Sequence, residues 1–352
     1  MSQPEAQSTN SYERARRRSY KVLEQARLDA TNDPEHHYDS VATRQRLQST
    51  FSAKFGKPAY DWQLDVAESL FLGLDTVLIA GTGAGKTMPF MMPLLLDSAK
   101  KVLVISPLKV QHDQAERFKK MGISAVAING DSWVASAFQQ DVSQGKYRAL
   151  FAGPEMSLEH ESFRDALRAI AKDIAAVIID EAHCISQWGG DFRKHYAELN
   201  KLRGILRPGT PVLAASATLT PRALQDVCSS LLIDRDTSFF LNLGNDRPNI
   251  STSVHRMKNA SDFDALKPHL NLNATTPEEL PKTIIFMNTV KLTQQGARFI
   301  RNQFPRPMRK YVDYIYSHRS RRDKRKVMRR FRHGQIRILI ATEAAKAFAE
   351  SP

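Results

Sequence analysis

Six short apolar runs recur at helix-length intervals between residues 49 and 233, and they constrain the fold more than any other feature. In chain order they read TVLIA, VLVIS, AVAIN, ALFAG, AVIID and VLAAS. Runs of this kind favour strands that are buried on both faces, and the spacers are long enough for connecting helices. The sequence therefore predicts an α/β fold in which a parallel sheet is covered by helices on both faces. Such sheets bind ligands beside the carboxyl ends of their strands.

A glycine-rich loop follows the first of these runs. The segment Thr76–Thr87 reads TVLIAGTGAGKT, and its glycines allow backbone amides to turn toward phosphates. Lys86 is placed to reach the β- and γ-phosphates, and Thr87 to help hold magnesium. A purely structural glycine turn is the alternative, but the Lys-Thr pair stands where phosphate chemistry requires it. We expect nucleotide phosphates to be held by Ala80, Gly81, Thr82, Gly83, Ala84, Gly85, Lys86 and Thr87.

The fifth run ends in two carboxylates and leads into an aromatic, cationic loop. Residues 177–193 read VIIDEAHCISQWGGDFR. Asp180 can hold a magnesium-bound water, and Glu181 can orient or deprotonate the attacking water. Trp188 and Phe192 can stack on unpaired bases, and Arg193 can meet phosphate. The four letters DEAH can also arise by chance, but the phosphate loop upstream favours a site that couples nucleotide hydrolysis to a single nucleic-acid strand.

These motifs resemble those of RecQ-type, ATP-dependent DNA helicases of superfamily 2, which carry a DEAH box. The stretch HCISQWGGDFR is the specific part, because DEAH-type RNA helicases share the four letters but not this loop. Over roughly residues 50–345, other segments agree in order: YDWQLDVAESLFLG, VLVISPLKVQHDQ, GPE, SAT, NDRPNI and TIIFMNTV. The resemblance implies RecA-like domains, the cofactors ATP and Mg²⁺, and a DNA partner that is single-stranded or a 3′-tailed duplex.

The resemblance also implies roles for individual residues. Gln63 is expected to read adenine, and Thr87 and Asp180 to hold Mg²⁺. Hydrolysis is assigned to Lys86, Asp180, Glu181 and His183. His183, with Gln187, would sense the γ-phosphate and pass its state to the following loop, while SAT links hydrolysis to domain movement. The residues expected to bind DNA or couple it to hydrolysis are Gln187, Trp188, Phe192, Arg193, Ser216 and Thr218.

Two departures from the family pattern affect what we expect of this chain. Tyr60 stands where the family usually has an arginine, so adenine contacts are expected to differ. After Thr342 the chain reads EAAKAFAESP, which puts Lys346 and Phe348 where glycines are expected, and no Q-x-x-G-R-x-G-R motif follows. The resemblance is therefore to a C-terminally truncated helicase. The alternatives are a relative that binds ATP and DNA without unwinding, or, with less support, a DEAH-type RNA helicase.

The composition fits a globular protein with an anionic partner. The 352 residues carry 51 Lys and Arg against 37 Asp and Glu, a formal charge of +14, which favours nucleic acid. Two cysteines, Cys184 and Cys228, do not suffice for a four-cysteine zinc site. The N-terminus has no secretion signal, and no apolar run reaches transmembrane length. We expect no membrane association and a nuclear location in a eukaryote or a cytoplasmic one otherwise. The oligomeric state is not specified.

Pattern changes along the chain suggest four regions. Residues 1–45 form a polar, basic and mobile arm with some helix, in which RARRR at Arg14–Arg18 is an import signal, a phosphate contact or a solvated helix face. Residues 46–238 form the ATP-binding RecA-like domain, and residues 239–281 a linker. Residues 282–352 form a partial second RecA-like domain with about three strands. Its basic segment 317–337 has an apolar stripe at Val327, Met328 and Phe331 and either tracks phosphates or is solvated.

Overall fold

The computed structural model divides into two compact units, residues 1–248 and 249–352. It describes residues 4–34, 37–130, 132–134, 136–187, 195–244 and 249–342. Both units are built on parallel sheets, which confirms the predicted α/β class. The segment that follows Thr342, including Lys346 and Phe348, lies outside the described residues.

A seven-stranded, all-parallel sheet forms the centre of the first unit. Its strands are β1 (Thr76–Ile79), β2 (Lys101–Ile105), β3 (Ala125–Ile128), β4 (Ala149–Ala152), β5 (Ile174–Asp180), β6 (Val212–Ser216) and β7 (Phe239–Asn242), in the order β3-β4-β2-β5-β6-β1-β7. The first six are the predicted runs. The seventh was predicted to begin the linker, and that prediction is wrong. Phe239 and Leu241 are buried and β7 pairs in parallel with β1, so the strand completes the first sheet.

Helices cover both faces of this sheet. They are α1 (Pro4–Asn32), α2 (Ser40–Phe55), α3 (Asp61–Phe71), α4 (Thr87–Met91), α5 (Pro93–Leu96), α6 (Leu108–Lys120), α7 (Ser136–Ser143), α8 (Pro154–Glu159), α9 (Glu161–Ala169), α10 (Cys184–Gln187) and α11 (Pro221–Leu231). Along β2, Leu103 and Ile105 belong to one core cluster while Val102 and Val104 belong to another. This alternation puts apolar side chains on both faces and explains the continuous apolar runs.

The N-terminal region is folded onto the first unit, which corrects the prediction of a mobile arm. Leu23 of α1 is fully buried, and the Tyr20 ring meets the Phe239 ring edge-on with centroids 5.4 Å apart. The Ser19 hydroxyl accepts a hydrogen bond of 2.6 Å from the backbone N–H of Phe240. Helix α1 therefore covers the edge strand β7, whose unpaired backbone groups would otherwise be available to another chain.

A cluster of buried charges joins the first three helices. Glu68 of α3 is 1% exposed, and its carboxylate accepts hydrogen bonds from Arg27 of α1 at 2.5 Å and from Arg44 of α2 at 2.8 Å, as well as from Ser40. Arg44 also donates to Asp65 at 2.8 Å. Burial alone would raise the pKa of Glu68, but the hydrogen bonds from Arg27, Ser40 and Arg44 outweigh it and lower that pKa.

We expect Glu68→Gln to lower the free energy of unfolding by about 3 kcal/mol, because removing one partner of a buried ion pair leaves the others uncompensated. A carboxylate with a lowered pKa stabilises the fold above its ordinary pKa of 4.5 and loses that effect as the pH falls through the folded value. Urea denaturation at neutral and acidic pH measures both. Glu116→Gln removes an exposed pair with Lys119 and should have no measurable effect. An equal loss in both variants would contradict this account.

The second unit contains a smaller parallel sheet with the three predicted strands. These are β8 (Thr283–Phe286), β9 (Val312–Ile315) and β10 (Ile338–Ala341), in the order β8-β10-β9. Its longer helices are α12 (Val290–Gln303) and α13 (Arg321–Arg332). Val327, Met328 and Phe331 of α13 are buried, which confirms the apolar stripe. Within the described ranges, no helix combines the length and apolar character needed to cross a membrane.

Candidate functional site

Three adjacent strands end at one edge of the first sheet and bring the predicted motifs together. Strand β6 lies between β5 and β1, with Asp180 opposite Ala215 and Ile79 opposite Ser216. All three strands run in parallel, so their carboxyl ends meet at the same edge. The phosphate loop follows β1, the DEAH residues end and follow β5, and Ser216 ends β6. Residues from three distant parts of the sequence therefore lie side by side.

The phosphate loop has the backbone that its glycines predict. Gly83 and Gly85 have φ values of 86° and 94°, in the left-handed region that glycine adopts without steric cost. The Lys86 ammonium donates hydrogen bonds to the carbonyl of Ala80 at 2.8 Å and to that of Gly81 at 3.4 Å. In the described part of the chain, Lys86 has no carboxylate within ion-pair distance. Its positive charge is thus available to an anionic ligand at the mouth of the loop.

Gln63 is in contact with the phosphate loop. Its side chain is 3% exposed, and its Nε2 donates to the carbonyl of Gly85 at 3.1 Å. Its Oε1 accepts from the backbone N–H of Tyr60 at 3.0 Å, which caps the start of α3. Tyr60 itself is 63% exposed. In this conformation Gln63 ties α3 to the loop, and its predicted contact with adenine remains a prediction.

Asp180 is nearly buried and held on both oxygens. It is 7% exposed, its Oδ1 accepts from the backbone N–H of Glu181 at 3.0 Å, and its Oδ2 accepts from Gln114 Nε2 at 2.5 Å. Burial, followed by the charge of Glu181, raises the pKa of Asp180 to about 6, against the opposing effects of the Gln114 bond and the Lys86 charge. Gln114 was not among the predicted site residues. The sequence feature that could have identified Gln114 is its position as the last residue of the motif VLVISPLKVQHDQ.

His183 connects the DEAH residues to the end of β6. Its Nδ1 lies 3.2 Å from Glu181 Oε2 and 3.1 Å from Ser216 Oγ. The Ser216 hydroxyl donates its proton to the carbonyl of Thr218 at 3.0 Å, so it accepts from a proton on His183 Nδ1. Hydrogen bonds to Cys184 and then to Glu181 raise the pKa of His183, and the bond from His183 lowers the pKa of Glu181. This network favours a protonated imidazole between two acceptors.

Of the remaining predicted residues, the structure describes Thr82, Ala84, Thr87 and Gln187 but not the three residues of the aromatic, cationic loop. Thr82 and Ala84 lie in the phosphate loop, where Ala84 N–H donates to the Gly81 carbonyl at 3.1 Å, and Thr87 begins α4. Gln187 ends the short helix α10. Trp188, Phe192 and Arg193 lie outside the described residues, and so does the NDRP of NDRPNI.

The donor atoms at this edge suit Mg²⁺ bound together with phosphate. Thr87 and Asp180 supply oxygen, the ligand atom that Mg²⁺ prefers, and such sites use one or two carboxylates plus substrate phosphates. Among the described residues, no group of three or more His, Cys, Asp or Glu could hold a metal ion. A Cβ built on Gly83 meets nothing within 4 Å, so there is open space above the loop.

Comparison with known proteins identifies the family. The profile of the DEAD/DEAH box helicases matches residues 60–227, and that of the helicase conserved C-terminal domain matches residues 263–347. An ATP-dependent DNA helicase Q-like SIM of Arabidopsis thaliana is 32% identical over 64% of this chain. The probable ATP-dependent DNA helicase RecS of Bacillus subtilis is 30% identical over 87%. A protein of Acanthamoeba polyphaga mimivirus, whose name denotes an RNA helicase, is 32% identical over 80%.

The chain spans 27%, 59% and 49% of the lengths of these three relatives, respectively. Among solved structures, the helicase MrfA bound to DNA and AMPPNP superposes with a TM-score of 0.63 at 18% identity, over 86% of this chain and 44% of that one. The two matched profiles together span most of the chain, which therefore belongs to the DEAD/DEAH box helicases. Within that class, its motifs and relatives make it a RecQ-type sequence.

We expect Gly85→Ala to weaken nucleotide affinity and thermal stability more than Gly83→Ala. Both substitutions force a side chain into a positive φ, which has a similar cost at each position. Only at Gly85 would the new Cβ also meet Gln63 Nε2, at 2.8 Å. Gln63 is buried, so it can move only by losing its bond to the loop, which costs about 1 kcal/mol. Melting curves and nucleotide titrations compare the variants, and equal effects would show that Gln63 does not support the loop.

Proposed function

We propose that this chain is the motor region of an ATP-dependent 3′-to-5′ DNA helicase of RecQ type. The observation that carries the proposal is the hydrogen-bonded junction at the sheet edge. There, the Ser216 carbonyl accepts a hydrogen bond from the Ala80 N–H at 3.1 Å, at the start of the phosphate loop. The Ser216 hydroxyl lies 3.1 Å from His183 Nδ1, which is itself 3.2 Å from Glu181 Oε2. A nucleotide site and a relay that leads away from it therefore belong to one network.

In the proposed function, residues of this chain would bind the ATP phosphates and activate the attacking water. Lys86 and the loop amides would hold the terminal phosphates, with the ammonium moving from its two carbonyl partners to the phosphate oxygens. Thr87 and Asp180 would hold Mg²⁺, which would supply positive charge to the β- and γ-phosphates. Glu181 keeps a lowered pKa through His183, so it remains ionised and can accept a proton from the attacking water.

The path from hydrolysis toward the nucleic acid runs through His183. A change in charge at Glu181 alters the balance between the two acceptors of the His183 Nδ1 proton, Glu181 and Ser216. Ser216 is in turn bonded to Thr218, whose N–H and carbonyl both contact the Ser216 hydroxyl, at 3.3 Å and 3.0 Å. We infer that this serine communicates the state of the nucleotide to the segment after β6, as the resemblance implies.

A single DNA strand is the partner that sequence and charge favour. The formal charge of +14 attracts a polyanion. Trp188 and Phe192 would stack on bases and Arg193 would contact phosphate, with Gln187 linking this loop to His183. An RNA strand is the second candidate, because one relative at 32% identity bears an RNA helicase name. A third candidate is binding of ATP and DNA without strand separation.

The proposal predicts ATP- and Mg²⁺-dependent separation of a 3′-tailed DNA duplex, with little activity on 5′-tailed DNA or on RNA. Lys86→Ala is the matched control and should lose nucleotide affinity and hydrolysis while its melting temperature is nearly unchanged, because the hydrogen bonds of the ammonium within the described residues go to two loop carbonyls. Gel-based unwinding and phosphate release measure the two activities. Hydrolysis without unwinding would support the binding-only alternative, preference for RNA would support the second candidate, and hydrolysis that survives Lys86→Ala would contradict the site.

Trp188→Ala should weaken single-stranded DNA binding by about 1–3 kcal/mol, the usual contribution of one base–aromatic stack, and leave nucleotide affinity unchanged. Trp133→Ala is the contrasting variant. Trp133 is 4% exposed and its Nε1 donates to Ser162 Oγ at 2.8 Å, so its loss should lower stability and not DNA affinity. Fluorescence anisotropy with a labelled oligonucleotide, beside a thermal melt, separates these effects. A lowered melting temperature with normal DNA affinity in Trp188→Ala would contradict the stacking role.

A further inference from the structure

A groove of about 600 Å³ lies between α1 and the β7 edge of the first sheet. Its rim carries four guanidinium groups, from Arg14, Arg16 and Arg18 of α1 and from Arg235. We call this feature the arginine groove. It lies entirely within the first unit, and none of the residues assigned above to ATP or DNA lines it. Three of its arginines come from the RARRR motif, for which the motor function offers no role.

The rim has more positive charge than its own carboxylate neutralises. Among the described residues that line the groove, Asp236 is the acidic one, and it pairs with Arg18 at 2.5 Å. Arg14, Arg16 and Arg235 have no ion-pair partner in the described part of the chain. The existing pair shows that a carboxylate fits against this rim. Both its members are more than 60% exposed, at 68% and 67%, so the pair does not close the groove.

We call the apolar part of the lining the floor of the groove, and the polar residues Ser19 and Asn242 line the groove as well. The floor is formed by Val22 of α1, Ile79 of β1, Leu224 of α11 and Phe240 of β7. The ring of Phe240 is already covered by the guanidinium of Arg235, whose Cζ lies 5.8 Å from its centroid. Aliphatic side chains thus dominate the open floor. Binding of single-stranded nucleic acid relies on aromatic faces that bases can stack on, and this groove leaves none free among its described residues.

We propose that the arginine groove binds an acidic peptide segment of a partner protein. Aspartate or glutamate side chains of that segment would lie against Arg14, Arg16 and Arg235, and one aliphatic side chain would insert between Val22 and Leu224. Guanidinium groups match carboxylates in a planar, two-bond geometry, and the apolar floor supplies the anchor pocket that gives such interfaces their affinity. This binding is separate from strand separation and adds a recruitment surface to the motor.

The probe is a short fluorescent peptide of alternating aspartate and glutamate with one central leucine. Arg14→Glu and Arg235→Glu lie on different elements, and each should weaken its binding by about tenfold or more, equivalent to about 1.4 kcal/mol. Arg17→Glu is the matched control. It makes the same charge change on the same helix, but Arg17 does not line the groove, pairs with Glu13 at 3.9 Å and is 81% exposed. Binding by Arg17→Glu should stay within about twofold of wild type at a salt concentration that screens the two-unit change in net charge.

Two further arms identify the occupant. Replacing the central leucine of the peptide by alanine should weaken binding several-fold in the wild type. An oligothymidine should not displace the peptide, and the ATPase activity of Arg14→Glu should equal that of the wild type. Absence of peptide binding, or equal losses in Arg17→Glu and Arg14→Glu, would overturn the proposal. Displacement by oligothymidine with the same sensitivity to Arg14→Glu and Arg235→Glu would make the groove a nucleic-acid site instead.

Discussion

Ser216 ends the strand β6 and is hydrogen-bonded to the segments that follow both neighbouring strands. Its carbonyl accepts from the N–H of Ala80 at 3.1 Å, where the phosphate loop begins, and its hydroxyl contacts His183 Nδ1 at 3.1 Å. The N–H of Ala182 is bonded in turn to the carbonyl of Ala215 at 2.9 Å. The position of the phosphate loop relative to the DEAH residues therefore depends on the register of one buried strand.

Four charged groups lie close together at this edge of the first sheet, so the site responds to any added charge. Two carboxylates, Asp180 and Glu181, are adjacent in a largely buried site, and burial followed by their repulsion raises the pKa of Asp180 to about 6. Two cations oppose that repulsion, Lys86 from the phosphate loop and His183 from the turn after β5. His183 pairs with Glu181 at 3.2 Å, whereas Lys86 has no carboxylate within ion-pair distance among the described residues. The site is therefore arranged to accept further charge, and nucleotide phosphates with Mg²⁺ bring the combination that the donors suit.

Much of this arrangement follows from sequence because its signals are local. The six apolar runs are each contiguous, and all six form the predicted strands. The GTGAGKT loop is contiguous as well, and Gly83 and Gly85 have the positive φ that its glycines predict, while its role in holding phosphates stays a prediction. Strand β7 was missed because FFLN is short and is a strand only by pairing with β1 and lying under α1. Gln114 was missed because its partner Asp180 is 66 residues away. The packed state of α1 could not be predicted either, since its few apolar residues gain burial only against an edge that exists once the sheet has formed.

The account depends on coupling between His183 and Ser216, and a double-mutant cycle tests that coupling most directly. His183→Ala, Ser216→Ala and the double variant are compared by the ratio of ATP hydrolysis with and without single-stranded DNA, with nucleotide affinity measured in parallel. The account predicts that either substitution lowers the DNA-stimulated ratio by about tenfold and that the double variant is no worse than either single one, because contacting residues are non-additive. Independent, additive losses would contradict it, and so would a loss confined to nucleotide affinity.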